Sequence, residues 1–351
     1  MALKQTLVEL LTKTVKVNAS DLHLCTGYPP TLRVDGVLTQ LAGPALSEDD
    51  LVGFVAEVLP GTDPDRWRED PAASAQLTHE GPGGARFITM AHKHLGGTGI
   101  SMRLLPSDVP TPEQLGVPSG LVERLCNSPC GLVLVSGPSG SGKSTTLYSL
   151  VEHINATYAA HIICIASPLE YVLTPKRSMV RLIEVGANMP TFAAAARAAL
   201  RLDPDVIVIS EMRDLETVQL AITLAETGHL VFTTIHCETA PEAVARVVDV
   251  FPAAQQAFIA KQLAATVVGV IAQRLLRRAS GKGRVAAQEV LLPSLAVREL
   301  ITERRFAEIA GVMAESGDEG MRTMRQHLRQ LAESGEVTPQ EAARFLHPPG
   351  G

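Results

Sequence analysis

Residues Gly137 to Ser144 read G-P-S-G-S-G-K-S, a complete G-x-x-x-x-G-K-[ST] sequence. That combination grips phosphate. Gly137, Gly140 and Gly142 let the backbone curl, so that several N–H groups turn inward on one anion. Pro138, Ser139 and Ser141 complete the loop, and Thr145 follows it. A helix opening near Lys143 adds its positive end, equivalent to roughly half an elementary charge. Lys143 is then placed for the β- and γ-phosphates of ATP, and the Ser144 hydroxyl for Mg²⁺. The apolar run Gly131-Leu-Val-Leu-Val135 ahead of the loop reads as a buried strand. The pattern from Thr145 to Asn155 reads as a helix. Strand, loop and helix in that order are the setting a nucleotide site requires.

A second set of residues belongs with the loop. The apolar stretch Asp205-Val-Ile-Val-Ile-Ser210 runs into Glu211, followed by Met-Arg-Asp. An acidic residue at the tip of such a strand is the Walker B arrangement, in which the carboxylate holds Mg²⁺ through water. His229 and His236 flank the next apolar strand, in T-G-H-L-V-F-T-T-I-H-C. A single histidine is usually structural. Two at the ends of one strand, beside Thr233 and Thr234, make an imidazole sensor of the γ-phosphate a candidate role for each. Arg197, Arg201, Arg213 and Arg246 lie around the same core, to contact phosphate or a neighbouring subunit, or simply to form surface ion pairs.

Around these residues the chain divides by composition. Leu3, Leu7, Leu10, Leu11 and Val15 recur at helical spacing. Asp21–Leu24 alternates like a strand, and Thr31–Leu38 reads as a hairpin turning at Asp35-Gly36. Ser47 with Asp50 starts a helix that Pro60-Gly61 stops. Two strands, Ala85–Met90 and Gly99–Leu105, close an α+β unit over residues 1–105. Pro106, Pro110, Pro112 and Pro118 then mark a linker over residues 106–118. Residues 119–293 alternate strands with helices. His161–Ala166, Asp205–Ser210 and Leu230–Ile235 are the buried parallel strands, and Thr191–Leu202 and Leu215–Glu226 the helices, the latter ending at Gly228. This is a doubly wound α/β core. Residues 294–351 hold charged amphipathic helices and a terminal H-P-P-G-G expected to fray.

The bulk properties narrow the field. The chain has 351 residues, 46% hydrophobic, with a formal net charge of -6. A folded multi-domain protein is expected, without the basic field of a nucleic-acid binder. Five cysteines, Cys25, Cys126, Cys130, Cys164 and Cys237, are too scattered for a disulfide framework and too few in one place for a zinc site, so a reducing cytoplasm fits. The N-terminus carries Glu9 within its apolar stripe and is not a signal peptide. The longest apolar stretches, such as Leu263–Ala272, fall short of the ~20 residues of a membrane span, so any membrane role is peripheral.

The string L-R-L-D-P-D-V-I-V-I-S-E-M-R-D-L-E-T, with A-E-T-G-H-L-V-F-T-T-I-H and R-V-V-D-V-F-P after it, resembles the secretion-superfamily hexameric ATPases. These drive type IV pili and type II secretion. The likeness is strongest to the PilT-type pilus retraction branch. Glu211-Met-Arg-Asp214 has the methionine of retraction motors, Ala296–Glu303 resembles their A-I-R-N-L-I-R-E motif, and the four-cysteine zinc insert of assembly ATPases is absent. The N-terminal S-D-L-H-L and P-P-T-L-R-V-D-G strings match as well. The resemblance implies a PAS-like N-terminal domain joined to a RecA-like P-loop ATPase core, assembled as a cytoplasmic homohexamer at the inner membrane. Its partners would be an inner-membrane platform protein and, in some settings, a paralogous retraction ATPase. Nucleotide would sit between subunits, reached by arginines of the neighbour's N-terminal domain. Arg86 and Arg103 occupy positions similar to those arginines.

Two departures from the family pattern stand out. A second arginine usually follows the R-F pair, and here that place is Ile88. The T-[IV]-E-D-P-[IV]-E segment reads Cys164-Ile-Ala-Ser-Pro-Leu-Glu170, so the glutamate that would act as general base is Ala166 and the aspartate is Ser167. Losing a general base typically costs ~10²–10⁴ in rate. Glu170 and Glu211 are the carboxylates left to substitute. The expected function is therefore ATP-powered pilus retraction. A catalytically weakened paralogue that binds ATP and regulates an active motor is the alternative, and a pilus-assembly or secretion ATPase a more distant one.

Overall fold

The computed structural model describes residues 2–34 and 36–346. Asp35 of the expected turn and the expected frayed end at 347–351 lie outside the described residues. The chain splits into two compact units between Asp108 and Val109.

The first unit is an antiparallel sheet covered by helices. Its elements are α1 (Ala2–Lys16), β1 (Asp21–Cys25), β2 (Thr31–Val34), β3 (Val37–Gln40), α2 (Glu48–Val58), α3 (Pro64–Glu69), β4 (Ser74–Glu80), β5 (Arg86–His94) and β6 (Gly97–Leu104). The strand order is β3-β2-β1-β6-β5-β4. The period-2 pattern sends Leu22, Leu24, Phe87 and Met102 into one core, where they meet Leu51 and Phe54 of α2. Ser47 and Asp50 form the expected reciprocal cap at the start of α2. The weakly patterned β4 and the short α3 gave no periodic signal in the sequence.

The second unit builds its sheet from α4 (Ser119–Cys126), β7 (Gly131–Ser136), α5 (Lys143–Thr157), β8 (His161–Ala166), β9 (Met179–Glu184), α6 (Phe192–Ala199), β10 (Val206–Ile209), α7 (Leu215–Glu226), β11 (Leu230–Ile235), α8 (Ala240–Asp249), α9 (Ala253–Thr266), β12 (Val267–Arg277) and β13 (Arg284–Leu291). The order is β13-β12-β7-β11-β10-β8-β9. All neighbours pair in parallel except β12 with β13. Strands β7, β8, β10 and β11 are buried along their whole length, as continuous apolar runs require when helices cover both faces. The phosphate-loop strand β7 lies between β11 and β12. Helices α10 (Leu295–Thr302), α11 (Ile309–Glu315), α12 (Met324–Glu333) and α13 (Pro339–Leu346) follow. Leu276, Val285, Ala287, Leu328 and Leu331 join α12 to the β12–β13 ribbon in a small core of its own.

The segment after Asp108 differs from the linker expected there. Val117 is buried in the second core, with Val109 and Leu115 packed against it. Ser149 Oγ of α5 donates to Pro110 O at 2.6 Å. Residues 112–116 turn on themselves, with Val117 N donating to Pro112 O at 2.9 Å, so the proline-rich segment is a strap packed against the unit rather than a free tether. The apolar stretch Leu263–Ala272 also splits, its first half ending α9 and its second opening β12.

Candidate nucleotide site

Parallel strands bring their C-terminal ends to one edge of the sheet, and the turns after them converge there. The loop after β7 is the phosphate loop. Gly137 has φ 146°, and a Cβ there would collide with Gln273 O and Ser141 Oγ. Gly142 is left-handed, φ 85°, at the N-cap of α5. No side chain caps α5, whereas Thr191, Asp214, Thr239, Ser294 and Thr323 cap α6, α7, α8, α10 and α12. The first amides of α5 are thereby left to an anion.

Lys143 is buried at the first position of α5. Its Nζ donates to Gly137 O at 2.9 Å and Pro138 O at 3.0 Å, and lies 3.2 Å from His236 Nδ1. Burial pushes the Lys143 pKa down, and the charges of Glu211 and Glu170 oppose that shift. With His236 Nδ1 accepting from the ammonium, the neutral ring carries its proton on Nε2. That nitrogen faces Glu211 Oε1 at 3.1 Å. The other oxygen of Glu211 accepts from Arg213 Nε at 2.8 Å and from its terminal nitrogen at 2.7 Å. A continuous polar line therefore runs Lys143–His236–Glu211–Arg213. Two bonds fix its bases: Thr234 Oγ1 donates to Ser210 O at 2.6 Å, and Ser136 Oγ to Cys237 O at 2.7 Å.

Glu170 reaches the same edge after β8, where its charge acts on Lys143. Its neighbour Tyr171 donates to Thr145 Oγ1 at 2.9 Å, tying this segment to the residue just after Ser144. Ala166 ends β8 fully buried. Ser210 N donates to Ile165 O at 2.9 Å, which sets the end of β8 beside the end of β10, just before Glu211.

His229 departs from the expectation. It precedes β11 and lies at the opposite end of the sheet from the loop, about 20 Å away for six residues at roughly 3.3 Å each. Its Nδ1 lies 3.0 Å from Leu224 O and 3.2 Å from Thr227 Oγ1, so it completes the end of α7. The cause is strand direction: parallel β11 and β7 present only their C-terminal ends to the loop. Among the four nearby arginines, Arg213 joins the line and Arg197 pairs with Glu216. Arg86 and Arg103 belong to the first unit, on β5 and β6, where Arg103 Nε donates to Asp21 Oδ1 at 3.0 Å.

Besides Tyr171, a second residue here went unread in the sequence. Gln273, buried in β12, bonds to both Ser141 and Thr146. Its only signal was a polar residue inside an otherwise apolar strand.

Comparisons with known proteins bear on this geometry. The profile of the type II/IV secretion system protein family matches residues 2–344. The type IV pilus retraction ATPase PilT of Pseudomonas aeruginosa is 40% identical over 336 residues, covering 96% of each chain. The type IV pilus ATPase PilU of the same organism is 32% identical over 334 residues, 95% of this chain and 87% of its own. A crystal structure of the pilus retraction motor PilT with bound ADP superposes with a TM-score of 0.86 at 39% identity, covering 98% of this chain and 97% of that one.

Proposed function

The chain belongs to the type II/IV secretion system protein family, and on that premise we propose that it is an ATP-driven motor of the type IV pilus system, acting in retraction. The nucleotide part is carried by one observation: a buried Lys143, lined up with His236 and Glu211 beneath the uncapped end of α5. The pilus part is supported by the near full-length likeness to PilT.

In this reading the triphosphate settles on the amides of Gly140–Thr145. Lys143 exchanges the Gly137 and Pro138 carbonyls for phosphate oxygens, which are the better partners for an ammonium in a buried site. That exchange also releases His236 Nδ1, so occupancy of the γ-position is felt at Glu211. Among the described residues no three His, Cys, Asp or Glu side chains converge as a metal cage. Mg²⁺ would draw on phosphate oxygens and water, with Ser144 and Glu211 as the protein's contribution, and would neutralise charge on the transferring phosphoryl group. Arg86 and Arg103 of a neighbouring subunit would reach the phosphates in a homohexamer. Opening and closing of the ring would act on an inner-membrane platform protein so that pilin leaves the filament base. No helix among the described residues is long and apolar enough to cross a membrane. A peripheral position at the cytoplasmic face suits the proposed task.

Ala166 favours a second reading, a slow or silent paralogue that binds ATP and modulates an active motor. Its methyl neither accepts a proton nor orients water. Steady-state phosphate release, with Lys143→Ala as the zero, decides between the two. Ala166→Glu is expected to raise turnover by about 10²-fold, if that position holds the missing base; no change removes the assignment. A deletion strain that is hyperpiliated and unable to twitch supports retraction, and a bald one moves the protein to assembly.

A further inference from the structure

We propose that Gln273 is a positioning residue for the nucleotide: its side-chain amide fixes the phosphate loop and the first turn of α5 in the one arrangement that receives the triphosphate. This deepens the ATP-binding reading above and rests on it.

Gln273 lies in β12, the strand beside β7, and is 1% exposed. Its Nε2 donates to Ser141 O at 2.7 Å, and its Oε1 accepts from Thr146 Oγ1 at 2.8 Å. Ser141 precedes the left-handed Gly142, and Thr146 lies one turn into the helix. A single side chain from a distant strand thus spans the corner at which Gly142, Lys143 and Ser144 turn toward the ligand. The main chain takes part as well. A Cβ on Gly137 would strike Gln273 O, and one on Gly142 would sit 3.1 Å from Gln273 Nε2. Two of the loop glycines are therefore fitted to Gln273 as much as to phosphate.

An amide is the group that suits this place. It supplies a donor to a carbonyl on one side and an acceptor to a hydroxyl on the other. Leucine would fill the space and strand both partners. Glutamate would keep the acceptor for Thr146 but turn a carboxylate oxygen toward Ser141 O, forcing the loop open. Protonating that carboxyl restores the donor. The charged and titratable neighbours of the position are Lys143 across the loop, the Arg274–Glu238 pair on the same ribbon, and Arg322 and the neutral His327, which hold Gln288 opposite Gln273 on β13. All of these are present in the wild type, so its own pH profile is the reference.

The test is binding of ADP with magnesium to the full-length oligomer, by calorimetry at pH 8 and pH 6, with melting followed in parallel. Wild type is expected to bind at both; if it does not, the ATP reading itself fails. Gln273→Glu should bind roughly ten- to hundredfold more weakly at pH 8 and regain several-fold relative to wild type at pH 6. Thr146→Val should weaken binding severalfold, Thr146→Ser should restore it, and Thr146→Val should add little to Gln273→Leu. Gln273→Glu within twofold of wild type at both pH values overturns the proposal, as does an equal loss at both pH values matched by Gln273→Leu. Should the Gln273 variants not fold, Thr146→Val binding like wild type overturns it.

Discussion

His229 and His236 bracket the same strand, β11, at equal remove from its centre, yet they live in different chemistry. His236 stands between an ammonium and a carboxylate at the phosphate-loop edge. His229 stands at the other edge, holding the end of α7 through Leu224 and Thr227. Residue type and spacing treat them alike. The direction of a parallel strand separates them, because only C-terminal ends open onto the ligand crevice. The difference teaches that a histidine next to a motif becomes functional through what its two nitrogens can reach.

The largest expected effect tests the edge that His236 occupies. Lys143→Ala removes the buried cation at the head of the line, and nucleotide-dependent phosphate release should fall by about 10³-fold or more. Retained turnover would place the site elsewhere. His236→Ala comes next. It leaves Lys143 and Glu211 without their shared partner, and turnover should drop by about ten- to a hundredfold with a smaller change in nucleotide affinity.

A third histidine sharpens the contrast by titrating for stability alone. His327 of α12 accepts Gln288 N–H at Nδ1, 2.8 Å, which requires that nitrogen bare. Burial, and after it the charge of Arg322, hold its pKa down to about 4 against an ordinary 6.5. The unfolded chain therefore takes up a proton that the folded one refuses. Its contribution is complete above about pH 6.5 and lost as pH falls toward 4, on the order of 2 kcal/mol. Thermal melting between pH 7.5 and 4.5 should show that slope in wild type and a flatter one in His327→Leu. Smallest of all, His229→Ala should leave phosphate release within about twofold and lower the melting temperature by only a few degrees. A loss as large as that of His236→Ala would dissolve the distinction.

Much of the fold was legible because its signals are local. The continuous apolar runs of β7, β8, β10 and β11 read as buried parallel strands, and Ser47 with Asp50 announced α2. Strands β4 and β9 were not legible: they are partly exposed, with little contrast between faces. Strand β12 was masked by continuity, since α9 passes into it without a break in apolar character. In the site, the loop residues were plain from their order, and Glu211 from its place at a strand tip. Tyr171 and Gln273 were hidden, because their partners Thr145 and Ser141 lie 26 and 132 residues away.

The sequence alone determined the phosphate loop and the strand that carries Glu211. Each is a matter of residue type at short range, and backbone geometry follows from it directly. Only the tertiary structure decided which histidine meets Lys143, that Gln273 underpins the loop, and that the prolines after Asp108 strap down a domain. Those outcomes depend on strand order and on contacts between segments far apart in the chain, which arise when distant segments pack together and which no local pattern encodes.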